Sequence, residues 1–246
     1  MNTMSLIIFF ISTIIYFIIQ YSMLEKYSKR TPDLMLYFIL GSIYFTFNVA
    51  AQININMKAT KIHCGEAQIM TSIIWTLIPN LLIFGLGMVL LYLFSGWKSP
   101  FSNTIGYGIA KILGIRNILN KILPPKEGNE FVQKISEDQS ILLNKFTPNN
   151  FDIMIGEMKE SMNFKDGYEE YIPQFYNLVV IKDMTSRFIW YSLLGLLVMF
   201  QSYNTIMSIE CNRSPNKLLA GINNSIKEKA DKEKNKRIPK EQVETQ

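Results

Sequence analysis

Histidine and cysteine are scarce in this 246-residue chain: one histidine, His63, and two cysteines, Cys64 and Cys211. An ordinary zinc site would need carboxylates to complete it. There is no Cys-x-x-Cys pair, no Gly-x-Ser-x-Gly elbow and no phosphate-binding glycine loop, so the common redox, hydrolase and nucleotide-binding signatures are missing. His63 and Cys64 are neighbours whose side chains point apart in regular structure, which argues against a catalytic dyad. Charge is scarce too, at 18% of residues, against 48% hydrophobic. The sequence therefore reads as that of a non-enzyme with no cofactor and no metal site.

The 25 basic and 20 acidic residues all fall outside four windows, residues 1–24, 34–57, 67–97 and 188–209. Each window exceeds the ~20 apolar residues that cross a bilayer as a helix. The expected fold class is all-α: a multi-pass transmembrane helical protein with four spans, three if the second is not a span, and a small helical extramembrane lobe. The membrane region would occupy 1–97, with spans at 4–24, 34–57 and 67–97. An extramembrane segment would follow at 98–187, then the fourth span at 188–209 and a charged tail at 210–246. The first window lacks a basic n-region and a small-residue cleavage site, so it reads as a retained signal anchor.

Within the second span Asn48, Gln52 and Asn56 recur every fourth residue, on one helix face. In lipid such a face must find partners, either neighbouring helices or a wet cavity. The first reading makes it interhelical glue; the second makes it the lining of a small channel. Pro79 removes a backbone donor from the third span and predicts a kink. Apolar spacing upstream of the fourth span reaches back to Pro173, so one helix is expected over 173–207, standing off the membrane as a stalk about 50 Å long. No acidic residue lies in any window, which disfavours an ion-coupled pump.

Basic residues near span ends number eight on the side of the long segment and five on the other, favouring a cytoplasmic long segment. Cys64 and Cys211 share the opposite side, as do the Asn-x-Ser sequons, sites for glycosylation at Asn212 and Asn223. A disulfide between Cys64 and Cys211 would tie the second loop to the fourth span; the alternative is two unrelated buried thiols.

No acid lies between Glu66 and Glu127, which leaves Lys98, Lys111, Arg116, Lys121 and Lys126 uncompensated. There Ile105, Ile109, Ile112, Ile115, Leu119, Ile122 and Leu123 recur at threes and fours until Pro124 and Pro125. The stretch reads as a basic interfacial helix at 104–123 on the anionic leaflet of a lipid bilayer near Lys98, Lys111, Arg116 and Lys121, or as a helix buried against protein. Residues 127–183 reverse the balance with 11 acids, which predicts an acidic helical lobe. One helix would carry Phe131, Ile135, Leu142, Leu143 and Phe146, and a second Phe151, Met154, Met158 and Met162 after an Asn149-Asn150 cap. So small a lobe needs a partner to bury its faces. No basic block is dense enough to indicate nucleic acid.

At the exit of the third span stands the run GWKSPFSNTIGYG, from Gly96 to Gly108. Elementary rules account for its parts: tryptophan anchors at an interface, proline ends a helix, and Ser102, Asn103 and Thr104 can cap the next one. Trp97, Lys98, Pro100, Phe101, Ser102, Asn103, Thr104, Gly106 and Tyr107 also resemble a pattern in uncharacterised multi-span proteins of nucleocytoplasmic large DNA viruses, over about a tenth of the chain. The excess of Ile, Asn and Lys is the bias of an AT-rich coding sequence and fits such a source. The resemblance implies a structural virion component of the internal membrane, tethering it to capsid or minor capsid proteins through 127–183. Apart from that resemblance, the same features fit a small ion channel or an accessory subunit of a cellular membrane complex in an endomembrane or the plasma membrane.

Overall fold

A computed structural model describes residues 3–26, 34–125, 130–161, 164–209 and 211, with isolated positions at 223, 226, 227 and 231. Among the described residues every regular element is a helix. Three are long and apolar enough to cross a membrane, Thr3–Met23, Met35–Cys64 and Ile69–Leu93.

Helix α1 (Thr3–Lys26) and α2 (Leu34–Cys64) are the first two. The second runs seven residues past the expected end at 57. Nothing in 58–64 is glycine or proline, and Lys61 and His63 sit in the last turn, where positive charge suits the helix dipole. It stops at Gly65, whose φ of 79° closes the helix in the left-handed region. The link to α3 (Ile69–Leu93) is thus much shorter than the nine-residue loop the charges predict. Pro79 lies inside α3 and is followed by a π turn at Asn80–Gly85, so the missing proline donor is absorbed as a register slip. The helix ends at Leu93, and Trp97 belongs to a separate 3-10 turn, Ser95–Lys98.

The expected interfacial helix at 104–123 is two helices. Helix α4 covers residues 99–112 with a π turn at Ser102–Gly106, and α5 (Ile115–Ile122) follows Gly114, whose φ of 90° breaks the run. The apolar stripe divides at that break. Ile115, Leu119, Ile122 and Leu123 are buried in protein, whereas Ile105 and Ile112 are exposed. A glycine at positive φ re-aims the chain, so a continuous 3.6-residue period no longer describes one face.

The single helix expected over 131–146 is likewise divided, into α6 (Glu130–Glu137) and α7 (Ser140–Leu143). Asp138 causes the break: its Oδ1 accepts the Ser140 backbone N–H at 2.9 Å, offering the chain a turn in place of another helical bond. Helix α8 (Phe151–Ser161) follows a reciprocal Thr147 and Asn150 pair, with Thr147 N donating to Asn150 Oδ1 at 2.7 Å. Met162 lies outside the described residues.

The last helix, α9 (Ile172–Met207), has 36 residues and is about 54 Å long. It is no free stalk. Phe175, Leu178 and Val179 enter the core of the lobe with Ile115, Ile135, Leu143 and Phe146. From the next residue on, Val180, Met184, Tyr191, Val198 and Met199 enter the core of the bundle with Phe9, Tyr44 and Phe84. Gly195 lets α1 approach closely, because a Cβ there would collide with the Phe9 ring.

Candidate functional site

The run from Trp97 to Tyr107 is seated on α9, ascending it toward the lobe. Trp190 Nε1 donates to the Trp97 carbonyl at 2.8 Å, and Phe101 meets the Trp190 ring edge to face at 5.3 Å. Ser186 Oγ donates to the Lys98 carbonyl at 2.6 Å, and Lys98 Nζ meets Asp183 Oδ1 at 2.6 Å. Asp183 also faces Arg187 at 3.1 Å, and Arg187 Nη1 donates to Gln20 Oε1 of α1 at 3.0 Å. Higher on the helix, Gly106 lies flat against the Lys182 backbone, where a Cβ would come within 2.7 Å of a carbonyl oxygen. Tyr107 OH donates to Asp138 Oδ1 at 3.3 Å. Pro100 stands at the start of α4, and its carbonyl accepts from Thr104 Oγ1.

Lys182 is 2% exposed. Its Nζ donates to the Leu143 carbonyl at 2.8 Å, at the end of α7, and lies 3.5 Å from Asn103 Oδ1. One ammonium thus joins α4, α7 and α9. Burial pushes its pKa down to about 8, against the pull of the adjacent Asp183 charge. Of the two readings of this stretch, the contacts with α9 are those of a helix packed against protein. Lys98 is spent on Asp183, and Lys121 stands 6.0 Å over the Tyr171 ring. Lys111 and Arg116 are exposed.

Inside the bundle Asn48, Gln52 and Asn56 are all buried. Ser12 Oγ of α1 donates to Asn48 Oδ1 at 2.8 Å, and Asn80 Nδ2 of α3 donates to Gln52 Oε1 at 2.7 Å. Asn56 Nδ2 donates to Thr76 Oγ1 at 2.7 Å and to Ser202 Oγ of α9 at 2.8 Å. Thr60 extends the series to Ser72 at 3.4 Å. One face of α2 therefore binds each of the other three long helices. Beside Asn48, Gln52 and Asn80 is a cavity of about 20 Å³, room for about one water.

At the bundle's far end Cys64 and Cys211 form a disulfide with their Cα atoms 5.2 Å apart. Gln68 Nε2 donates to the Cys211 carbonyl at 3.0 Å. His63 does not diverge from Cys64 as neighbours in regular structure should: the ligand atoms of His63, Cys64 and Cys211 all lie within 4.8 Å of one another. Asn212 lies outside the described residues, and Asn223 is an isolated exposed position.

Sequence reasoning assigned no interhelical contact to Asp183, Lys182, Asn80 or Ser202. Two carried a signal: Asp183 is the sole acid of α9, and Asn80 directly follows Pro79. No protein-family model matches the chain, and no curated protein or solved structure matches it. What the fold defines is a class: an all-helical, membrane-associated protein with three helices able to span a bilayer.

Proposed function

We propose that the chain is a non-catalytic membrane tether, with α9 contributing a fourth span at 188–209 and carrying the lobe outside the bilayer. The observation that carries this reading is that one unbroken helix supplies core residues to both the bundle and the lobe. A force applied to the lobe would therefore reach the spans without a hinge. The clamp of Lys98, Ser186 and Trp190 supports the same reading, since it locks the exit of α3 onto that helix. The amide face of α2 is engaged by its neighbours, and the adjacent space has room for about one water, which supports interhelical glue over a channel lining.

The lobe offers a docking face on α8, where Asp152, Ile153, Glu157 and Glu160 are exposed and Ile153 is 65% accessible. An acidic ridge with one apolar anchor suits a basic protein partner. The resemblance of the Trp97–Tyr107 run to large DNA virus membrane proteins makes that partner a capsid or minor capsid protein and the site the internal virion membrane. The test is Ile153→Arg with Glu157→Lys in the full chain. Membrane insertion should be unchanged and co-sedimentation with capsid shells lost. Retained capsid association would reject the assignment.

A further inference from the structure

The chain holds only two cysteines and one histidine, and all three meet in one place. Cys64 and Cys211 come together across 147 positions of sequence. Cys64 is the last residue of α2, and Cys211 stands just past the end of α9, its backbone held by Gln68. His63 is exposed and the two cysteines are half-buried, so the group meets solvent at the end of the bundle away from the lobe.

One imidazole and two thiolates make the donor set of three-ligand zinc sites that keep a fourth position for water. A disulfide and a pair of metal-bound thiolates are alternative uses of the same sulfurs. We propose that, once the Cys64 to Cys211 disulfide is reduced, His63, Cys64 and Cys211 bind one zinc-class ion, so that the site alternates between a covalent and a metal bridge. The chemistry balances. A dithiol such as a thioredoxin-type protein gives two electrons and two protons to the S–S bond and is itself oxidised to a disulfide. The ion then displaces the two thiol protons as two metal–sulfur bonds form, and neutral imidazole supplies a third ligand. Metal-held sulfurs cannot re-form the disulfide until the ion leaves. Under either redox condition α2 remains tied to α9. This inference does not depend on the tether reading.

The experiment is a cobalt(II) titration of the full chain in detergent, phosphine-reduced and kept free of oxygen, with the unreduced protein alongside. The reduced chain should develop sulfur-to-cobalt charge-transfer and tetrahedral d–d absorption that saturates at equimolar cobalt. The unreduced chain should show neither. Cys64→Ser and Cys211→Ser should each abolish the charge-transfer signature of two thiolates. His63→Ala, which leaves the thiols and the disulfide in place, should keep sulfur charge transfer but weaken cobalt binding by at least ~10-fold. Bound zinc should slow re-formation of the disulfide, read as mobility on non-reducing gels. Absence of absorption in reduced wild-type protein, or a His63→Ala titration identical to wild type, overturns the proposal.

Discussion

The two cores of this protein are made of different material. The lobe core is built from apolar side chains, Ile115, Leu119, Ile135, Leu143, Phe146 and Phe175 among them, with Gln139 and Lys182 among the few buried polar residues beside it. The bundle core pairs an aromatic cluster of Phe9, Tyr16, Tyr44, Phe84 and Tyr191 with a ladder of buried amides and hydroxyls. On the tether reading, the difference follows from solvent. Water drives aliphatic groups together, whereas lipid tails are as apolar as leucine, so helices in lipid are held by packing and by interhelical hydrogen bonds. The lobe is small for an independent core, and it borrows α9, whose other half is fixed in the bundle.

That contrast can be broken by substitution. The largest effect should come from Phe175→Ala, which removes the ring that packs on Phe146 at 4.9 Å and Phe151 at 5.4 Å. It should cost about 4 kcal/mol. Hydrogen exchange should accelerate in α5 to α8 while α1 to α3 keep their protection; equal loss in both would show that the cores are not separable.

Next is Asp183→Ala, which leaves Lys98 and Arg187 without their shared counter-ion. With side chains only 10 to 16% exposed, the loss should be about 3 kcal/mol. Limited proteolysis should then cut within 95–107, where the wild type should resist, and resistance in the variant would deny the clamp a role.

Lys182 should make the stability of the junction depend on pH. Its pKa is depressed to about 8 from 10.5. Between those values the unfolded chain binds more protons than the folded one, so stability should rise with pH across that window. The gain across it should be about 3 kcal/mol, and it is lost as pH falls back from 10.5 to 8. Denaturant melts of Lys182→Met should lack the rise; an unchanged pH profile would mean that the ammonium is not the titrating group.

A smaller effect is expected at Asn56→Leu, which removes the donor shared by Thr76 and Ser202 and should cost about 1 kcal/mol. In detergent, that loss should appear as a lower thermal midpoint. A conductance lost from reconstituted protein on the same substitution would instead favour a channel. The least effect should follow Lys121→Ala, whose ammonium lies over Tyr171 and contributes about 0.5 kcal/mol; a much larger drop in the melting midpoint would assign Lys121 a role beyond this contact.

Much of the fold was legible because the signals were strong and local. The three long apolar helices follow from runs without charge, and α9 begins one residue before Pro173, at a place where proline suits a helix start. The four-residue spacing of Asn48, Gln52 and Asn56 puts them on one face, which is the face that α1, α3 and α9 cover. The breaks at Gly114 and Asp138 were not legible, since a glycine or an aspartate inside an apolar period marks a break only when its surroundings favour one. Lys182 illustrates the same limit: a lysine on a helix is ordinarily solvated, and only the approach of Leu143 and Asn103 makes it a buried junction.

The sequence by itself determined the helical class, the candidate membrane spans and the polar face of α2, because hydropathy and period act over neighbouring residues. Tertiary structure decided where partners lie. It set the Trp97 to Tyr107 run along α9, brought Lys98 to Asp183, and carried Cys211 to where its sulfur lies within 4.8 Å of the ligand atoms of His63 and Cys64. Such meetings join residues tens to more than a hundred positions apart, and they are settled by how helices of fixed length pack against one another, which no local pattern encodes.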